Sequence, residues 1–170
     1  ALNGTAENLL VIVSSKSGST IETASQRAFF EDYLRKSKLD PTQHILFVTD
    51  PGSPLDQDVR AKGFTVINAD PKVGGRFSAL TAFGLTPATL MGVDASILLD
   101  QAGDCRSQLR EDPAVALDVA YLLITQSEQF LGFSDYGSNF PGLSDWIEQL
   151  IAESTGKEEA GRLPIVTENF

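Results

Sequence analysis

Apolar positions come in short blocks, each followed by a stretch whose apolar residues recur at helical spacing. Asn8 to Val13 reads as a buried strand, and Thr20 to Lys36 as a helix with Ala24, Ala28, Phe29 and Leu34 near one side. His44 to Thr49 is a second apolar run, closed by Asp50-Pro51-Gly52-Ser53-Pro54, a cluster of turn formers. The more polar stretch Leu55 to Lys62 predicts a helix, and Phe64 to Asn68 a third strand. Strand and helix in alternation predict a parallel α/β sheet.

From Ser78 onward the pattern turns mostly helical. Ala79 to Gly84, Ala88 to Met91, Ala95 to Leu109 and Ala114 to Gln129 are predicted helices, the last of them opened by Pro113. Gln129 to Phe133 predicts another strand. In Leu143 to Ser154 the apolar residues Leu143, Trp146, Ile147, Leu150 and Ile151 keep helical spacing, and Gly156 follows as a C-terminal stop. Leu163 to Val166 reads as a last strand. No repeat, low-complexity tract or linker divides the chain, so residues 1–170 are read as one domain.

A chain of 170 residues, 42% apolar and 21% charged, has the size and composition of one folded domain with its own core. The single cysteine, Cys105, has no intramolecular partner, and no apolar run approaches the ~20 residues of a membrane span, which predicts a cytoplasmic protein. A net charge of −10 disfavours nucleic acid and anionic membrane as partners, so an anionic ligand would need a local site. The chain begins at Ala1 and its only methionine is Met91, which reads as a processed chain or a piece of a longer one.

One candidate for such a site stands between the first strand and the first helix. Ser14, Ser15, Ser17, Ser19 and Thr20 supply hydroxyls, Gly18 permits close backbone approach, and Lys16 supplies a positive charge. The first amides of a helix lack internal partners and the helix dipole favours an anion there, so a phosphate fits the inventory. Helix caps and a solvated serine-rich turn use the same residue types, and composition leaves both readings open. The spacing matches neither a Walker A loop nor G-x-G-x-x-G, so a nucleotide is not implied.

Two further stretches carry candidate chemistry. Val73-Gly74-Gly75-Arg76-Phe77-Ser78 sets an arginine after two glycines, suited to stabilising charge that develops on an oxygen, or simply to a surface turn. Gln149 and Glu153, four residues apart, project from one side of the last predicted helix, where most glutamates are only solvated.

Taken together, SSKSGST, VGGRFS and QLIAESTGK, in that order, resemble the first sugar isomerase (SIS) domain of the glucose-6-phosphate isomerase family, from about Glu7 to about Pro164. The loop Ser17-Gly18-Ser19 is plainer than is usual there and is similar to the branch in which some members are fused to transaldolase. The resemblance implies a three-layer αβα sandwich with a parallel, flavodoxin-like sheet, its first strand and helix missing from this chain. It implies that Ser15, Lys16, Ser17, Gly18, Ser19 and Thr20 grip the 6-phosphate and that Gln149 contacts the sugar. Arg76 would steady a cis-enediolate and Glu153 would be the base that moves the proton between C2 and C1. That chemistry needs no metal or cofactor. The resemblance also implies a homodimer and a ring-opening histidine and a lysine located downstream of this chain. His44, the sole histidine, matches no family motif and reads as a strand-end residue. The alternative is a non-catalytic phosphosugar-binding SIS module, which would need the loop but neither Glu153 nor Arg76.

Overall fold

The computed structural model describes residues 5–125, 129–135, 142–157 and 161–167, and these divide into two compact units, Ala1–Ser96 and Ile97–Phe170. The α/β class with parallel strands is what the chain shows. In the first unit β1 (Val11–Ser14), β2 (Ile45–Thr49) and β3 (Thr65–Asn68) form a parallel sheet in the order β1-β2-β3. Val11 pairs with Ile45 and Leu46 with Thr65, so the three strands end together at their carboxyl ends. The intervening helices are α1 (Ile21–Lys36), α2 (Pro41–His44) and α3 (Pro54–Ala61). Successive right-handed crossovers put α1 and α3 on one face of such a sheet, in keeping with the bond from Arg27 on α1 to Asp58 on α3 at 3.2 Å.

The central strand explains why this unit holds. Ile45, Phe47, Val48 and Thr49 are all buried, as a strand flanked on both sides requires, and Phe47 packs edge-on to Phe64 at 5.1 Å. Val13, Leu34, Leu55 and Val59 complete the cluster. The helix α1 does not present the predicted row to the sheet. Ala24, Ala28 and Phe29 are exposed; the inward row is Thr23, Arg27, Phe30, Glu31 and Leu34. A charged residue can hold the middle of that row because its stem covers apolar surface while its head is neutralised. Arg27 lies 5.0 Å over the Phe47 ring and bonds Glu31 at 2.7 Å. Burial would raise the Glu31 pKa, and the bonds from Arg27 and Arg35 outweigh it and hold that carboxyl below its ordinary value.

Other boundaries shift for local reasons. β1 starts at Val11, after a 3₁₀ turn over Ala6–Asn8 in which the Asn8 amide bonds the Thr5 carbonyl at 3.0 Å. His44 closes α2 and donates through Nδ1 to the Leu9 carbonyl at 2.8 Å, tying the approach to β1 against the start of β2. The stretch after β3 is a 3₁₀ turn over Gly75–Leu80 and then one helix, α4 (Ala82–Leu90), which runs through Pro87 instead of breaking into two. Gly84 is needed there, since a Cβ at that position would meet the Ala79 carbonyl.

In the second unit, which takes in most of α5 (Ala95–Glu111), α6 (Ala114–Thr125) leads toward β4 (Phe130–Phe133). The remainder of the helix predicted to Gln129 lies outside the described residues up to Glu128. The strands β4 and β5 (Leu163–Val166) pair in parallel, with α7 (Leu143–Thr155) packed on β5. Gly156 ends α7 as its C-cap.

Replacing Phe47 by Ala removes the centre of the first unit's core and is expected to cost about 3–5 kcal/mol. Urea denaturation measures it; a loss of under about 1 kcal/mol would contradict the packing described.

Candidate functional site

The loop from Ser15 to Thr20 is held by the end of β2. Its first amide, on Ser15, extends the strand ladder by donating to the Val48 carbonyl at 3.0 Å. The Lys16 carbonyl then accepts from the Asp50 amide at 3.2 Å and from the Thr49 hydroxyl at 2.9 Å. The chain turns at Gly18, whose φ of +80° favours glycine and whose missing Cβ leaves room for Leu55, 2.7 Å from where it would sit. Within the turn the Gly18 amide donates to Ser15 Oγ at 3.1 Å and the Ser19 amide to Ser17 Oγ at 3.2 Å, while the hydroxyls of Ser17 and Ser19 bond each other at 2.6 Å.

Thr20 is the N-cap of α1 but its hydroxyl makes no capping bond. Ser17, Ser19 and Thr20 form an exposed rim beside the start of α1, whose first amides have no partner within the helix, which is a donor-rich setting for an anion. The charge of Lys16 is not aimed into this rim. Its ammonium bonds the Asp50 carboxylate at 2.9 Å and the Val73 carbonyl at 2.9 Å, and lies 5.6 Å over the Phe83 ring. The charge of Lys16 is compensated by Asp50.

Arg76 stands in the 3₁₀ turn that starts at Gly75, half-buried, with its guanidinium 4.8 Å over the neighbouring Phe77 ring. Lys16 brings this segment to the loop, because Val73 immediately precedes Gly74. Pairing of this kind was not legible from spacing: Asp50 reads as an ordinary turn residue, and only its position at the end of β2 makes it the partner of Lys16.

A buried polar seam supports the same corner. Thr49, fully buried, shares a 3.0 Å hydrogen bond with Ser53, which caps α3 by accepting from the Asp56 amide at 3.1 Å. The Asp56 carboxylate accepts from the Gly52 amide at 2.8 Å, from Arg60 at 2.7 Å and from Asn68 at 3.2 Å. The Gly52 bond chiefly, with Arg60 and Asn68, holds the Asp56 carboxyl below the ordinary aspartate value of 3.8.

In the second unit Gln149 and Glu153 lie one turn apart on α7, both exposed, and the Gln149 amide donates to a Glu153 carboxylate oxygen at 3.0 Å. The start of α7 is fixed by a residue the sequence did not single out. Asp135, just past β4, accepts from the Gly142 amide at 2.7 Å and from the Ser144 hydroxyl at 2.8 Å, and these bonds lower its own pKa.

No family model matches. A glucose-6-phosphate isomerase of Carboxydothermus hydrogenoformans is 36% identical over 162 residues, covering 89% of this chain and 34% of that protein. A probable glucose-6-phosphate isomerase of Haloquadratum walsbyi is 32% identical over 164 residues, covering 94% of this chain and 38% of that protein. Among solved structures, a hypothetical protein of Thermus thermophilus shares the fold with a TM-score of 0.79 at 28% identity, over 97% of this chain and 42% of the other. A glucose-6-phosphate isomerase of Chlamydia trachomatis shares it at 0.76 and 22% identity, over 98% and 36%.

A carboxyl with a depressed folded-state pKa stabilises fully above the unfolded aspartate value and loses that contribution as pH falls through the folded one. Asp56→Asn is therefore expected to destabilise at pH 7 and progressively less below about pH 4. Urea midpoints at the two pH values test this; an equal deficit at both would contradict it. Over about one third of their length, then, this chain is a sequence relative of the glucose-6-phosphate isomerases.

Proposed function

We propose that residues 1–170 form an SIS-type sugar-phosphate isomerase domain, part of an enzyme that interconverts glucose 6-phosphate and fructose 6-phosphate. The observation that carries the reading is the joining of a donor-rich helix start to an arginine segment through Lys16, in a chain related to enzymes named for this reaction.

On this reading the 6-phosphate sits at the rim of Ser15, Ser17, Gly18, Ser19 and Thr20, taking hydrogen bonds from hydroxyls and from the first-turn amides of α1. Binding the phosphate there would exchange the Ser17–Ser19 bond for bonds to the ligand. Glu153 takes the proton from C2 of the open-chain aldose. The C–H electron pair forms the C1–C2 double bond, and the carbonyl pair moves onto oxygen to give the enediolate. The Arg76 guanidinium, which stays charged at any working pH, stabilises that oxygen. A proton then passes from the 2-hydroxyl to O1, which moves the negative charge to O2, and return of the proton from Glu153 to C1 with formation of the C2 carbonyl gives the ketose. Gln149, already bonded to Glu153, restricts the rotamers of the base and offers its remaining amide atoms to the sugar. The reaction so drawn needs one base and oxyanion stabilisation, and atoms and charge balance over the cycle. A partner subunit, as in a homodimer, would supply ring opening.

The non-catalytic alternative gains no support from the Gln149–Glu153 pair, since a sensor has no need of an oriented carboxylate. Among the described residues no helix is long and apolar enough to cross a membrane.

Calorimetric titration of the 170-residue chain with fructose 6-phosphate, fructose and inorganic phosphate tests the site. Saturable binding of the phosphosugar that exceeds both controls is expected; equal affinity for fructose and its phosphate would overturn the phosphate site. For catalysis, Glu153→Gln in the protein expressed from the full reading frame is expected to lower isomerisation about 10²- to 10⁴-fold with binding retained. Unchanged turnover would remove Glu153 from the mechanism.

A further inference from the structure

We infer that Lys16 acts as a positioning residue, not as a ligand of the anion: with Asp50 it forms a latch that registers the Gly74–Arg76 segment against the loop. Three separate elements meet at this one ammonium. It leaves from the loop after β1, takes the carboxylate at the end of β2 at 2.9 Å, and takes the Val73 carbonyl after β3 at 2.9 Å. Two of its three protons are thus committed inside the protein, and its outward reach is limited by the ring of Phe83. The Lys16 backbone is held as firmly, since its carbonyl accepts from Thr49 and Asp50.

The pair is about one quarter exposed on average, with Lys16 at 30% and Asp50 at 17%, so its worth lies less in the ion pair than in the geometry it imposes. The carbonyl it holds is one residue from the glycine pair that precedes Arg76. Gly74 and Gly75 give that stretch little conformational restraint of their own, and Gly75 lies against the Lys16 stem, 4.0 Å from where its Cβ would be. The Lys16–Val73 bond ties the stretch after β3 that feeds this segment directly to the loop. An arginine that must meet one oxygen of a ligand anchored by its phosphate needs that register.

The latch and a direct phosphate contact predict opposite signs for Asp50. If Lys16 is a ligand held back by its partner, Asp50→Ala releases the ammonium and tightens fructose 6-phosphate binding. If it is a latch, Asp50→Ala and Lys16→Met each weaken binding about tenfold, and the double variant is no weaker than either single one. Tighter binding in Asp50→Ala, or additive losses, would overturn the inference.

The binding comparison rests on the proposed function, so the second measurement does not use a ligand. Hydrogen exchange in the free chain is expected to quicken at the Phe77 amide in both single variants, and at the Asp50 amide in Lys16→Met. The Phe47 and Val48 amides, in the core of the sheet, report whether the fold is intact and are expected to be unchanged. Unaltered exchange at Phe77 and Asp50 would overturn the latch. Failure of the native chain to bind fructose 6-phosphate would count against the functional reading, leaving exchange to decide the latch.

Discussion

The residue that leaves β1 is bound at both ends. The Lys16 carbonyl is taken by the Thr49 hydroxyl and the Asp50 amide, and its ammonium by the Asp50 carboxylate and the Val73 carbonyl. The turn of the loop and its charge balance follow from this attachment. Because Lys16 is fixed, the chain must reverse within two residues to start α1, which is why a glycine with positive φ stands at position 18, against Leu55. Because Asp50 balances Lys16, the rim offers hydrogen-bond donors without a surplus charge. Such a site suits an anion bound reversibly through directed amides, in a chain whose overall charge is strongly negative.

Behind the clamp, the seam of Thr49, Ser53, Asp56, Arg60 and Asn68 lets polar groups occupy the carboxyl edge of a sheet without an unmet hydrogen bond. Among the described residues no buried side-chain donor or acceptor lacks a partner. The seam links the end of β2, its following turn and the last residue of β3 to the helix between them, so Thr49, which holds the Lys16 carbonyl, is itself held. Open α/β sheets place ligands outside the carboxyl ends of their strands, and here that edge carries both the loop and the arginine segment.

Much of this was legible in the sequence, and what was not has a physical cause. The central strand showed because β2 is buried on both faces and so runs apolar from Ile45 to Val48. The loop showed through residue types tied to a helix start, and α7 through apolar residues at helical spacing, down to Gly156 as the cap. The inward row of α1 did not, because Arg27 occupies its centre: periodicity counts a charged residue as outward, whereas Glu31 and Asp58 neutralise it over Phe47. Among the site residues, Ser15 to Thr20 could be named from local chemistry, and Arg76, Gln149 and Glu153 only through a resemblance between motifs. Asp50 and Thr49 could not be named, since each owes its role to a partner over thirty residues away, and Asp135 bonds Gly142 and Ser144 at spacings of seven and nine that no capping pattern marks.

The first unit's loop and arginine segment should respond directly to a bound phosphosugar. Amide chemical shifts of isotope-labelled chain, followed during titration with fructose 6-phosphate, test this residue by residue. Shifts concentrated at Ser15 to Thr23 and at Gly74 to Phe77, saturating with one affinity, are the predicted result. Saturable shifts that leave both segments unmoved would mean that the ligand binds elsewhere and would contradict the assignment of this loop as the phosphate site.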